Sequence, residues 1–210
     1  METFAIFYEA NLPKGVEQLP DGTYRNISYG TIVYALDPQL KHLHRIDGPA
    51  IESKNFKKWY VNGQQHRIDG PAFESENYKS WWLNGQLHRI EGPAVVALDY
   101  KAWYVNGERH RIDGPAYEGE NHKEWFVNGQ QHRIDGPAFE SENQKVWYIN
   151  GKRHRMDGPA VIGTDTDYKG WYVDGKQLTE DDYNHLIKRL STLTDDSDKE
   201  ATIAAATMFD

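Results

Sequence analysis

The sequence predicts a mainly β protein: an elongated, single-layer array of antiparallel β-hairpins with a C-terminal helical cap. Three observations carry this expectation. A 22-residue unit recurs six times, each copy holds an Asn-Gly or Asp-Gly step after an aromatic-rich stretch, and no 3.6-residue apolar period survives between the recurring Gly and Pro.

The unit is read first from its histidines. His-Arg-Ile-Asp-Gly-Pro-Ala starts at His44, His66, His110 and His132, with variants at His88 (Glu91 for Asp) and His154 (Met156 for Ile). A second string keeps the same step, from Trp59-Tyr60-Val61-Asn62-Gly63 to Trp147-Tyr148-Ile149-Asn150-Gly151. The last copy, Trp171-Tyr172-Val173-Asp174-Gly175, arrives two residues late, which places extra residues in the turn-rich Gly163–Asp167. Gln64 to Asn77 is identical to Gln130 to Asn143, three periods on. Arrays that duplicate in blocks tolerate changes in length; a catalytic pocket rarely does.

Within a copy, Pro71-Ala72-Phe73-Glu74-Ser75 and Lys79-Ser80-Trp81-Trp82-Leu83 read as strands, with Glu76-Asn77 as the turn between them. Asn84-Gly85 is a type I′ hairpin signal. Asp69-Gly70-Pro71 is a further turn in which Gly70 can supply positive φ. Two antiparallel strands per copy would advance the stack by roughly 9.5 Å; one coil of a β-solenoid, the alternative fold, would advance it by about 4.8 Å. The Asn-Gly step favours the hairpins.

Three segments follow: an N-terminal β cap at 1–42, the hairpin repeat array at 43–178, and a C-terminal helical cap or tail at 179–210. In the first, Phe4–Tyr8 and Gly30–Tyr34 read as strands, Pro20-Asp21-Gly22 as a turn, and a degenerate repeat fits the same stretch. In the last, Thr179-Glu180-Asp181-Asp182 is a capping box opening a helix to Leu193, with Leu186, Ile187 and Leu190 on its apolar face. Ser197-Asp198-Lys199-Glu200 is a second box opening Ala201–Met208. These helices read either as an end-cap, which repeat arrays need, or as a partner-docking element.

Composition bounds the function. With 38% hydrophobic but 13% aromatic residues, the chain is neither a large compact core nor disordered. It has no cysteine, which removes disulfides, thiolate metal sites and a cysteine nucleophile. No signal peptide is expected from Met1–Tyr8 and no transmembrane helix from any apolar run, so a cytoplasmic location and no membrane partner are expected. The formal net charge of −8 makes nucleic acid an unlikely partner.

The wording Trp-Tyr-x-Asn-Gly-x-x-His-Arg-x-Asp-Gly-Pro-Ala over residues 43–175 resembles MORN-type repeats and their variants in phage and large-virus genomes. It departs from the common pattern where His-Arg replaces a His-Gly step and in the following Gly-Pro-Ala. The resemblance implies a twisted sheet that scaffolds protein contacts. It implies no catalytic residues and, were the chain viral, inhibition of a host defence factor in the host cytoplasm.

Candidate sites lie in columns. The histidines read as packing groups bonded to a backbone carbonyl or lying on a Trp, as a pH-sensitive surface, or as a metal array; the wide spacing between neighbouring copies speaks against shared metal, and neither metal nor cofactor is expected. Arg45, Arg67, Arg89, Arg111, Arg133 and Arg155 each precede by two an acid: Asp47, Asp69, Glu91, Asp113, Asp135 or Asp157. An ion-pair ladder, with Arg over Trp as a compatible variant, is the structural reading; a phosphate-reading comb is the functional one, which the paired acids would neutralise. Trp59, Trp81, Trp103, Trp125, Trp147 and Trp171 are expected on the packed face. Tyr60, Trp82, Tyr104, Phe126, Tyr148 and Tyr172, pointing to the other face, are candidates for partner binding, as are Phe56, Tyr78 and Tyr100. The column holding these last three varies between copies, as does Lys54, Glu76, Leu98, Glu120, Glu142; such columns are either free surface or partner-specific. No phosphate loop, nucleophile elbow or His-Glu-x-x-His occurs, and regular rows do not bring unlike groups together. The expected function is therefore a non-enzymatic scaffold binding another protein. An acidic polyanion mimic that blocks a nucleic-acid-binding enzyme, or an immunity protein, is the alternative.

Overall fold

The computed structural model describes residues 12–207. The expected strand at Phe4–Tyr8 and the expected helix end at Met208 lie outside the described residues. The chain falls into two compact units, Met1–Leu98 and Asp99–Asp210, divided inside the repeat array.

The copies beginning at His44, His66, His110 and His132 are each built from four short strands in two hairpins. In the copy beginning at His66, Phe73–Ser75 pairs antiparallel with Tyr78–Ser80 around Glu76-Asn77. Trp82–Leu83 then pairs with Gln86–Leu87 around Asn84-Gly85. The first hairpin joins its neighbours in the main sheet, Phe73–Ser75 against Phe56–Lys58 and Tyr78–Ser80 against Val95–Ala97. The second is a separate two-stranded ribbon. In the first unit, Val16–Gln18, Tyr24–Ser28, Thr31–Ala35, Ile51–Glu52 and the main-sheet strands of the copies follow one another in chain order; in the second unit, Tyr100–Ala102 through Lys176–Leu178 do the same. Every described pairing is antiparallel, which rules out the solenoid.

The expected single strand Lys79–Leu83 is thus corrected: it breaks at Trp81. The reason is where the backbone groups of Trp81 go. Its N–H donates to the Ala94 carbonyl of the next copy at 2.8 Å, while its own carbonyl accepts from His88 N–H at 3.0 Å. Both groups are satisfied, but by different hairpins, so the chain leaves the main sheet there. The same exchange occurs at Trp59, Trp103, Trp125 and Trp147. In the last copy the strand runs unbroken as Lys169–Val173, and residues 164–168 form the loop that takes up the late arrival.

The Asn-Gly steps form as expected. Asn84 has φ 50° and Gly85 φ 77°, and Asn62-Gly63, Asn106-Gly107, Asn128-Gly129, Asn150-Gly151 and Asp174-Gly175 match them. Positive φ at both central residues defines a type I′ turn, whose twist suits tightly paired strands. Under these turns Ala50, Ala72, Ala94, Ala116, Ala138 and Ala160 are completely buried. They are the last residue of each Gly-Pro-Ala, and only a methyl group fits there.

At the N-terminal end, Tyr34 stands in the tryptophan column. Its N–H donates to Ala50, its carbonyl accepts from His44 N–H, and Arg45 lies over its ring at 4.2 Å. The degenerate repeat is therefore present. The strands Val16–Gln18 and Tyr24–Ser28 were not read from the sequence, and Gly30 belongs to the Tyr29-Gly30 turn rather than to a strand.

At the other end, helix α1 spans Glu180–Leu190, three residues shorter than expected, and is capped by Thr179, whose Oγ1 accepts from Asp182 N–H at 3.1 Å. Leu186 and Leu190 are buried and Ile187 is partly buried; Tyr183, not read as an apolar-face residue, is buried with them against Val173. Helix α2 spans Asp196–Thr207. Its start is corrected by five residues: Asp195, whose Oδ1 accepts from Ser197 N–H at 2.8 Å, makes the cap in place of Ser197.

Candidate interaction surface

The His-Arg-Ile-Asp-Gly-Pro segment is a turn folded around its own arginine. Arg67 Nε donates to Asp69 at 2.9 Å and Nη1 to the Pro71 carbonyl at 3.2 Å. Arg45, Arg111, Arg133 and Arg155 repeat both bonds. Arg111 also reaches Glu118 at 2.9 Å. The guanidinium lies over the tryptophan of the preceding copy: Arg67 on Trp59, Arg89 on Trp81, Arg111 on Trp103, Arg133 on Trp125 and Arg155 on Trp147, all 3.9–4.1 Å from the ring centre. The donors of the arginines are thus turned onto their own copies' acids and prolines, not outward. The side-chain hydrogen bond from arginine holds Asp47, Asp69, Asp113, Asp135 and Asp157 below the usual carboxylate range.

The glycine of this turn has a different reason from the one expected. Gly70 does not take positive φ; a Cβ there would stand 2.9 Å from Arg67 Cζ, so glycine leaves room for the guanidinium. Gly92 alone among these turn glycines has positive φ, 109°, in the copy where Glu91 replaces the aspartate.

The histidines tie the start of each copy to the ribbon that ends it. His66 Nδ1 is 2.8 Å from Asn84 Oδ1 and 3.2 Å from Asn84 N, and His110, His132 and His154 contact Asn128, Asn150 and Asp174 alike. Their partner is the turn residue of the following ribbon, not a backbone carbonyl. Among the described residues no three His, Cys, Asp or Glu side chains group as a metal site.

The aromatic candidates are half-buried. Tyr60, Trp82, Tyr104, Phe126 and Tyr148 are partly covered and Tyr172 is buried. Tyr60 is pushed up in pKa by that burial. Trp82 donates its indole N–H to Ser80 at 2.8 Å, and Arg109 donates to the Tyr104 hydroxyl at 3.1 Å. Phe56, Phe73 and Tyr78 stack edge to face or ring on ring at 5.5–6.0 Å, and Tyr100, Tyr117, His122 and Phe139 form a second ladder at 4.7–5.6 Å. Phe56, Tyr78 and Tyr100 therefore spend one ring face on their neighbours. The varying positions Lys54, Glu76, Leu98, Glu120 and Glu142 are all exposed.

A row of solvent-open apolar side chains was missed by sequence reasoning. Ile46, Ile68 and Ile90 in the first unit, and Ile112 and Ile134 in the second, are 73–86% exposed. Each projects from the same turn between the arginine and its acid. Hollows lie beside three pairs of these turns. One, of about 570 Å³, is lined by Trp125 and Val127 with Ile112 and Ile134; another, of about 550 Å³, by Trp59 and Val61 with Ile46 and Ile68. The signal was available: an isoleucine kept at one position inside a turn bracketed by charges, where no core can use it.

No family model, curated protein or solved structure matches this chain. No described helix is long and apolar enough to cross a membrane.

Proposed function

We propose that the chain is a non-enzymatic repeat scaffold that binds another protein through the isoleucine rows and the hollows beside them. The observation that carries this reading is that Ile46, Ile68, Ile90, Ile112 and Ile134 recur at one turn position, with Met156 in the last copy, although at 73% exposure or more they add little to folding. Scattered single exposed isoleucines need no explanation; a regular row next to aromatic-floored hollows marks an interaction site. Two main-sheet strands per copy set the hollows roughly 9.5 Å apart. A matching partner presents apolar side chains at that interval. The resemblance to MORN-type scaffolds agrees with this reading; a use as an inhibitor of a host factor or as an immunity protein rests on that resemblance alone. A polyanion mimic fits less well, because the outward acids Asp47, Asp69, Asp113, Asp135 and Asp157 are each held by an arginine.

The test is affinity capture with wild type, with Ile46→Asp/Ile68→Asp/Ile112→Asp/Ile134→Asp, and with an alanine variant of Tyr60, Tyr104 and Tyr148. Loss of the captured partner in the isoleucine variant, at unchanged melting temperature, is expected. Undiminished capture by that variant, with loss in the tyrosine variant, would move the site to the aromatic column.

A further inference from the structure

A hollow of about 570 Å³ opens where the last strand, Lys176–Leu178, meets α1 and α2. Pockets for small ligands span about 300–1,000 Å³, so its size is suitable. Leu178, Leu186 and Ala206 give it an apolar wall, while Lys176, His185 and Arg189 line it with basic groups. Asp182 is the single carboxylate there, and its Oδ2 already accepts from Thr179 Oγ1 at 2.6 Å as part of the helix cap. Neither Lys176 nor Arg189 has an ion-pair partner among the described residues. Lys176 is the distinctive group: its Nζ is buried and has no hydrogen-bond partner among them. An ammonium withdrawn from water without a counter-charge is strongly unfavourable. The equivalent position holds Gln64, Gln86, Glu108, Gln130 and Lys152 in the other copies, polar and exposed; at Lys176 the charged atom is buried instead, and the helix cap at Thr179 does not use it.

We propose that this hollow binds a small molecule that carries an oxyanion group, carboxylate or phosphate, on a short apolar body. The oxyanion meets Arg189 and the Lys176 ammonium, whose buried Nζ swings into the hollow to reach it, and the body lies along Leu178, Leu186 and Ala206. Charge complementarity and the apolar wall fix the class together; a bare inorganic ion would leave the wall unused. The site lies apart from the isoleucine turns and stands or falls separately from the partner-binding reading.

The experiment uses the full chain, with octanoate and octyl phosphate as probes and sodium chloride at matched ionic strength as control. Calorimetric titration and thermal shift are expected to show saturable binding of at least one probe; octanoate alone identifies a carboxylate and octyl phosphate alone a phosphate. Lys176→Met is expected to weaken binding at least tenfold while raising the melting temperature of the ligand-free protein, because it removes an uncompensated buried charge. Arg189→Ala, an exposed position, is expected to weaken binding without change in fold. Failure of both probes to bind, or Lys176→Met binding as wild type does, overturns the proposal.

Discussion

Arg111 lies over the indole of Trp103, 4.0 Å from its centre, and a Cβ on Gly114 would stand 2.8 Å from the same guanidinium carbon. One arginine thus joins the turn of its own copy to the ribbon of the copy before it. Its ion pairs to Asp113 and Glu118, its hydrogen bond to the Pro115 carbonyl and its stacking share a single geometry, which a lysine could not reproduce.

Gly114→Ala forces that guanidinium off the ring. Because Gly114 is not at positive φ, the cost is steric and not conformational, about 1–3 kcal/mol as for overpacking elsewhere. Denaturant unfolding is expected to show it, and the loss is expected to be much smaller in an Arg111→Ala background. Equal losses in both backgrounds would show that the guanidinium is not the obstacle.

Ser80 is buried, and its hydroxyl accepts from the indole N–H of Trp82. The corresponding copies with tyrosine or phenylalanine at this column place lysine, alanine, glutamate, valine or glycine where Ser80 stands. Ser80→Ala leaves the indole N–H without its acceptor and is expected to cost about 1–3 kcal/mol. Ser80→Ala/Trp82→Phe is expected to recover part of that loss. A double-mutant cycle showing no coupling between the two positions is the opposing result.

Tyr183 closes the array. Its ring lies 4.6 Å from that of Trp171, where the next copy would have supplied an arginine, and its hydroxyl accepts from Gly158 N–H at 3.0 Å. Burial pushes its pKa up. Tyr183→Ala is expected to lower stability by about 3–5 kcal/mol, as for other large-to-small aromatic substitutions. Thermal unfolding checks it; a change under 1 kcal/mol would remove α1 from the role of end-cap.

The aspartate row makes the array acid-sensitive. The arginine hydrogen bonds lower the pKa of Asp69, Asp113 and Asp135 from 3.8. A carboxylate depressed in the folded state stabilises above its unfolded pKa and loses that contribution as pH falls through the folded value. Stability is therefore expected to be level from pH 7 to about pH 5 on this account and to fall below about pH 4. Replacing the three with asparagine is expected to flatten the slope below pH 4, read from denaturant midpoints at successive pH values. An unchanged slope would show that other groups carry the acid sensitivity.

The hairpins were legible because their signals are local. Asn84-Gly85 specifies a type I′ turn by backbone sterics alone, and Thr179 with Asp182 marks a helix start in four residues. The isoleucine row was also written in the chain, but nothing local to the turn says that it points outward. The break at Trp81 was not legible, since it depends on a carbonyl 13 residues away, that of Ala94.

What the sequence by itself determined is the period, the turns and the antiparallel hairpin class, all set by steric preferences within a few residues. What only the tertiary structure decided is which partner each backbone and side-chain group takes: the ribbon split from the main sheet at each tryptophan, the guanidinium of Arg111 over Trp103, and the outward isoleucines. Those choices depend on contacts between successive copies, and a pattern read along one copy carries no information about which face its neighbour covers.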